Sequence, residues 1–300
     1  MIKLNKKKLS NKEPTKDISQ DDILYKLTLS TSKNKRIVKI SNKISYNSSC
    51  IPLIAGPNGV ESKSLMVNVA KQLVKNKIGL IRGHAYKPLT FPYRSKQYNE
   101  TQSRGMDIMD EIKKEFDLKV VTEVTEIRYL DRILKTADIL QIGSRNMQNL
   151  ELLRNVSQTK KPIILKRHFG SSLRDFLGAA EHILVEGNFN LILCERGVSI
   201  PHTHRSTSRF ALDIQAIPAL KEISGFPIIS DPSHACFWEP WVAPLTYASI
   251  ASGCDGLIVE MHPNPSKSLV DPLQPLNFKK FSNVVKKARE FAKILNKKII

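Results

Sequence analysis

KKPIILKRHFGSSLRDFLGAAEHILVEGNFNLILCERG, residues 160–197, is the stretch that decides the fold. The apolar run Pro162–Arg167 is followed by Leu173, Phe176, Leu177, Ala180 and Leu184 at helical spacing, then by a second run, Leu191–Gly197. Runs of Ile, Leu and Val that alternate with helix-length amphipathic stretches mark parallel strands covered on both faces. The pattern extends outward in both directions. Leu53–Pro57, Ile78–Gly83, Val120–Val124 and Ile139–Gly143 come before it, and Pro227–Asp231 and Leu257–His262 come after. Eight strands with helices between them, in about 250 residues, predict an α/β fold of the (β/α)8 TIM-barrel type. A doubly wound open sheet is the alternative, but no GxGxxG or GxxxxGK signature follows the first strand.

Asn149–Asn155 and Phe278–Leu295 also read as helices, the second closing the barrel with its lysines on a solvated face. The expected organisation is a basic N-terminal arm with a small hairpin over residues 1–50 and the catalytic barrel over 51–300. Within the arm, a short helix is expected around Asp21–Leu27. Arg36–Ile40 and Ile44–Asn47 pair as a hairpin placed to plug the barrel bottom.

The chain has 300 residues, 41% of them hydrophobic, enough to bury a full core. Its formal charge of +19 invites a nucleic-acid reading, but the charge is uneven. Residues 1–50 contribute +8 and residues 277–300 contribute +7, while the 226 residues between them hold 27 basic against 23 acidic side chains. The arm offers only Tyr25 and Tyr46 for base stacking, so a nucleic-acid partner is not expected. Cys50, Cys194, Cys236 and Cys254 form no CxxC pair. The first residues lack a secretory signal, and no run of eighteen apolar residues occurs, so a cytoplasmic protein without membrane contact is expected.

In a barrel of this kind the C-terminal ends of the strands build the active site. Arg82 and Lys87 follow the second strand, Arg145 the fourth, Lys166 and Arg167 close the fifth, and Arg196 closes the sixth. Cations aimed at one volume repel one another unless an anion neutralises them, and Arg offers planar forks for carboxylate or phosphate. The competing reading pairs each with a carboxylate such as Glu123, Glu195 or Asp138. For the whole set, too few acidic residues are expected at the same ends. The seventh and eighth strands end in Asp231-Pro232-Ser233-His234 and Glu260-Met261-His262, with Asp271 beyond. His234, Glu260 and Asp271 are therefore candidate donors for a divalent cation. The sixth loop, His202 to Arg209, is rich in donors suited to a second phosphate or a polyhydroxylated chain.

These residues lie in motifs that carry a family resemblance. AGPNGVES (55–62), LIRGHAYKPLT (80–90), VVTEV (120–124), QIGSRNMQN (141–149), ILKR (164–167), LCERG (193–197), DPSHA (231–235) and EMHPNP (260–265) resemble 3-deoxy-D-arabino-heptulosonate 7-phosphate (DAHP) synthases. The match is to the compact type I branch, shared with 3-deoxy-D-manno-octulosonate 8-phosphate synthases, and runs from about residue 36 to residue 276. The resemblance implies a (β/α)8 barrel that condenses phosphoenolpyruvate with a phosphorylated aldose, erythrose 4-phosphate foremost, and releases phosphate. It implies that Arg82, Lys87, Arg145, Lys166 and Arg196 bind phosphoenolpyruvate. Asn58, Lys87, His234 and Asp271 fall at catalytic positions, and His234, Glu260 and Asp271 match three of four metal ligands. A homodimer or homotetramer is usual in such proteins, and a separate regulatory domain is not expected in so short an arm.

Two positions depart from the pattern. The family's fourth metal ligand, a Cys in AGPCSVES, is here Asn58, whose amide oxygen is a weaker ligand than thiolate. Weak or absent metal dependence is expected, with Mn2+ or Mg2+ as the ion a residual site would take. In KPRTS, whose Arg and Thr contact the aldose phosphate, this chain has Leu89 and Thr90. Arg205 and Arg209 are the expected replacements for the lost charge. Alternatives are an acceptor other than erythrose 4-phosphate, used in a specialised pathway, and a catalytically silent sensor of phosphorylated sugars.

Overall fold

A computed structural model describes residues 26–47, 49–89, 99–201 and 210–300. Eight parallel strands close into a barrel in chain order: β1 Leu53–Gly56, β2 Leu80–Arg82, β3 Lys119–Glu123, β4 Ile139–Ile142, β5 Ile163–Lys166, β6 Leu191–Glu195, β7 Ile228–Ser230 and β8 Gly256–Glu260. The ring shuts where Leu257 to Glu260 pair with Leu53 to Gly56. All eight expected runs are therefore strands, seven of them a little shorter than the run and one, Lys119–Glu123, of the same length but shifted by one residue.

Alternation along each strand divides the core in two. Ile54, Leu80, Val121, Ile139, Ile164, Ile192, Ile229 and Ile258 point inward as one cluster, while neighbours such as Leu53, Ile81, Val120, Leu140 and Val259 pack outward under the helices. Both faces are buried, so the runs are continuously apolar and show no half-polar alternation. The helices are α1 Lys63–Lys75, α2 Gln102–Phe116, α3 Leu130–Leu134, α4 Leu150–Gln158, α5 Leu173–Leu184, α6 Ala216–Ile223, α7 Glu239–Ala251 and α8 Phe278–Ile294. Their starts follow local chemistry. Ser172 and Asp175 form a reciprocal capping box on α5, and Asn277 caps α8 by accepting from the Lys280 N–H.

Val38–Lys39 and Ser45–Tyr46 pair antiparallel, and Val38, Ile44 and Tyr46 join the inward cluster. The hairpin thus fills the lower mouth of the barrel. A Cβ at Gly256 would lie 2.7 Å from the Tyr46 ring and 2.7 Å from Ile229, so glycine is required for that close approach. A helix is described over Lys26–Ser30, and residues 21–25 of the expected Asp21–Leu27 lie outside the described residues. It docks on α5 because Glu181 accepts from the backbone N–H groups of Leu27 and Thr28. None of the described helices is long and apolar enough to cross a membrane.

Candidate active site

The polar ends of the strands converge on one pocket at the C-terminal mouth. Asn58, Lys87, Arg145, Lys166, Arg196, His234 and Asp271 all line it, joined by Glu123, Gln141, Leu89, Phe169 and Phe210. Seven residues singled out in the sequence thus share one volume. Arg82 and Glu260 do not line it; they form a fully buried pair just below, Nη2 to Oε2 at 3.0 Å. Thr90, Arg205 and Arg209 lie outside the described residues.

The cations are better balanced than their sequence positions suggest. Lys87 Nζ donates to Glu123 Oε2 at 2.5 Å, and Lys166 Nζ donates to Asp231 Oδ2 at 2.5 Å. Arg167 faces away from the pocket residues, bonding Glu195 at 3.0 Å and Asp213 at 2.9 Å. The expectation that too few carboxylates sit at these ends is therefore corrected. Glu123, Asp231, Glu195 and Glu260 come from the ends of four different strands, one or two places round the barrel from their partners, and each meets a cation. Asp138 pairs instead with Lys113 of α2.

A surplus of positive charge remains. Among the described lining residues, Lys87, Arg145, Lys166 and Arg196 stand against Glu123 and Asp271. Arg145 donates to the Pro88 carbonyl at 3.4 Å and Arg196 to the His234 carbonyl at 3.1 Å. These two hydrogen bonds run to neutral acceptors, so neither brings a negative charge to the guanidinium.

Asp231 organises one wall. It caps the short helix Pro232–Cys236 through the His234 N–H at 3.1 Å and also accepts from His234 Nδ1 at 2.9 Å. Burial alone would raise the Asp231 carboxyl, but Lys166 and the His234 imidazole, which bonds it and turns positive at low pH, outweigh it and hold it well below the usual range. Burial lowers His234 to about 4, so it is neutral near pH 7, with its proton on Nδ1 and the Nε2 lone pair available. On the opposite wall burial would raise Glu123, but Lys87 holds it low and ionised. His84 Nδ1 accepts from the Glu123 N–H at 2.9 Å, and Gln141 Nε2 donates to Glu123 Oε2 at 3.3 Å, fixing that carboxylate from behind.

The residues expected to hold a metal are each engaged otherwise. Asn58 Nδ2 donates to Asp271 Oδ2 at 2.9 Å, Glu260 Oε2 accepts from Arg82 and from Gln274 Nε2, and His234 turns its Nδ1 to Asp231. Among the described residues no three His, Cys, Asp or Glu side chains gather as a metal site. In this arrangement the donor set does not fit a divalent ion. The Asn58 amide N–H occupies one Asp271 oxygen by hydrogen bonding and presents a donor where a metal would need a ligand lone pair. Burial pushes Glu260 up to about 7, against the pull of Arg82, so its carboxyl is a poor anionic ligand near neutrality. Asn58 Oδ1 and Glu260 Oε1 are buried without a hydrogen-bond partner, acceptors left for a ligand hydroxyl or water.

Sequence reasoning named Glu123 and Glu195 as competing partners but missed Asp231, Gln141 and Gln274 as partners and Phe169 and Phe210 as lining residues. Glu123, Gln141 and Asp231 did stand in quoted motifs, at strand ends. Phe210 carried no such signal, since it follows a polar loop.

Comparison with known proteins converges on one group. A family model described as the DAHP synthetase I family matches residues 36–297. Phospho-2-dehydro-3-deoxyheptonate aldolase of Thermotoga maritima is 38% identical over 247 residues, covering 82% of this chain and 71% of its own. 2-Dehydro-3-deoxyphosphooctonate aldolase of Bdellovibrio bacteriovorus is 28% identical over 252 residues, covering 79% of this chain and 86% of its own. The crystal structure of the Thermotoga maritima DAHP synthase superposes with a TM-score of 0.84 at 35% identity, over 89% of this chain and 76% of that one. A truncated form of that synthase gives 0.83 at 32% identity, over 92% of this chain and all of that one.

Proposed function

This chain belongs to the DAHP synthetase I family, and from that premise we propose that it joins phosphoenolpyruvate to erythrose 4-phosphate. It is an enzyme of the DAHP-synthase type, an aldol-type transferase that condenses phosphoenolpyruvate with an aldose phosphate. The observation that carries the reading is the convergence of Lys87, Arg145, Lys166 and Arg196 on one pocket with surplus positive charge. Phosphoenolpyruvate, with a phosphate and a carboxylate on adjacent atoms, is a ligand whose charge such a set offsets. The heptonate type of acceptor is favoured by the higher identity to the heptonate aldolase, 38% against 28% for the octonate aldolase.

In the proposed reaction C3 of phosphoenolpyruvate forms the new bond to the aldehyde carbon, and the aldehyde oxygen takes up a proton. Water adds to C2 and gives up a proton, and the bond from C2 to the phosphate oxygen breaks. Lys87, kept charged by Glu123, is the cation placed to stabilise or protonate the developing alkoxide. Neutral His234, oriented by Asp231, has a free Nε2 lone pair for the proton of water. Asn58 and Asp271 together offer an amide and a carboxylate to orient the aldehyde or the water. The engagement of Asp271 and Glu260 with protein donors, and of His234 Nδ1 with the Asp231 carboxylate, supports chemistry without a metal. We further propose that the enzyme works in the cytoplasm as a homodimer or homotetramer, which light scattering of the purified protein checks.

A second reading has its own observation. Leu89 lines the pocket together with Phe169, Phe210 and Val270, an apolar wall that supports an acceptor less polar than erythrose 4-phosphate. Phosphate release measured with phosphoenolpyruvate and a panel of erythrose 4-phosphate, arabinose 5-phosphate and unphosphorylated erythrose separates the two. The first reading expects the highest kcat/KM with erythrose 4-phosphate. An equal or higher value with another aldose overturns that assignment.

A further inference from the structure

We propose that Phe210 is a positioning residue that holds the Arg196 guanidinium at the pocket wall by stacking beneath it, and that this contact sets the affinity for phosphoenolpyruvate. The proposal rests on the reading of phosphoenolpyruvate as the ligand. Arg196 Cζ stands 4.4 Å from the centroid of the Phe210 ring, and both residues are buried and line the same pocket. Phe210 is itself backed by Phe169 at 5.0 Å between ring centroids, and Phe169 by His168 at 4.1 Å. The stack runs from the loop after β5 to the far end of the loop after β6, under a cation contributed by β6.

The backbone is built to put the ring there. Val198 and Ala211 exchange two hydrogen bonds of 2.9 Å, pinning the base of the loop one residue away from Phe210. The Ser199 N–H donates to the Phe169 carbonyl at 2.7 Å and ties this base to the β5 loop. Gly197, next to Arg196, has φ +98, and a Cβ there would lie 3.0 Å from Phe210 Cβ and 2.9 Å from Ala235 Cα. Only glycine permits both the left-handed turn and the approach of the ring.

A free Arg side chain samples many rotamers, and a substrate that binds it must order them. Here one Nη2 donates to the His234 carbonyl at 3.1 Å while the flat face rests on the ring, so the guanidinium plane is set before the ligand arrives. The ring also removes water from one side of the cation, which strengthens its attraction for an anion in the pocket. The remaining cations have a different support: Lys87 and Lys166 are placed by carboxylates, which share their charge. The Phe210 ring is a support that brings no negative charge of its own to Arg196.

The test uses the full chain with phosphoenolpyruvate alone, titrated calorimetrically, for Phe210→Leu and Phe210→Tyr. Phe210→Leu should raise Kd about 3- to 30-fold, the range expected for a lost cation–π contact. Phe210→Tyr, which keeps the aromatic face, should stay within about 2-fold of the parent, and thermal unfolding should be little changed in both. In steady state the loss should fall on KM for phosphoenolpyruvate, with kcat at saturation preserved. An unchanged Kd in a folded Phe210→Leu, or equal losses in Leu and Tyr variants, overturns the role of the ring. If Phe210→Leu does not fold, Phe210→Met, which refills the volume without a ring face, is held to the same expectations. A parent protein that binds no phosphoenolpyruvate overturns the functional reading itself, and the proposal with it, before any variant is compared.

Discussion

At the scale of single residues, the site works by pairing. Asp231 accepts from Lys166 and from His234, all three well buried, so its charge underwrites two groups at once. Asp231→Asn leaves the Lys166 ammonium buried without its counter-charge, and denaturant unfolding should show a loss of about 3–5 kcal/mol. A loss below about 1 kcal/mol would mean that water reaches the pair freely. Asn58 makes a second residue-scale prediction. Because its amide N–H already satisfies Asp271, chelator should leave activity intact, and a complete loss restored only by divalent metal would contradict this. The cations were legible in the sequence because barrel geometry sends strand ends to one place. Glu123 and Glu195 were named there as competing partners, but which cation each meets was not legible, and Asp231 was not named at all: Lys87 and Glu123 stand 36 residues apart, and Lys166 and Asp231 stand 65 apart. Pairing across the barrel mouth leaves no mark on spacing along the chain.

At the scale of elements, the strands were the easiest to read, because burial on both faces leaves unbroken apolar runs in each one. The runs overreached the strands by a residue or two, as from Ile78–Gly83 to Leu80–Arg82, since buried loop residues at the barrel ends are apolar too. Among the helices, Leu173–Leu184 was read to the residue, its start fixed by the Ser172 capping box. The hairpin was visible as two short runs, but the reason for its position lies in Gly256, which opens space for the Tyr46 ring. That ring brings a cost: the Tyr46 hydroxyl is buried with no hydrogen-bond partner. Tyr46→Phe removes an unsatisfied polar group and should stabilise the protein by about 1 kcal/mol, raising Tm by about 2–4 °C. A drop in Tm would show that the hydroxyl is satisfied by water inside the barrel.

At the scale of the whole molecule, the charge of +19 separates into two populations. The closing helix α8 carries lysines on its outer face and Phe281, Val284, Val285 and Ala288 against the barrel, so its charge is a solvated surface. The pocket cations are fewer: Lys87 and Lys166 pair with carboxylates, while Arg145, exposed at the mouth, and Arg196 donate to carbonyls. The fold belongs to a family whose chemistry unites two anionic substrates, and such a pocket must offset their charge without being neutralised beforehand. Arg145 and Arg196, which donate to carbonyls, with Arg196 also over an aromatic face, add their positive charge to that of the lysines. The most direct test of that chemistry is the fate of the oxygen bridging C2 and phosphorus. Phosphoenolpyruvate labelled there with 18O is incubated with the protein and erythrose 4-phosphate, and the phosphate is weighed by mass spectrometry. The account predicts one labelled oxygen in each phosphate released, formed only when the aldose is consumed with it. Unlabelled phosphate, or labelled phosphate appearing without consumption of the aldose, would contradict it.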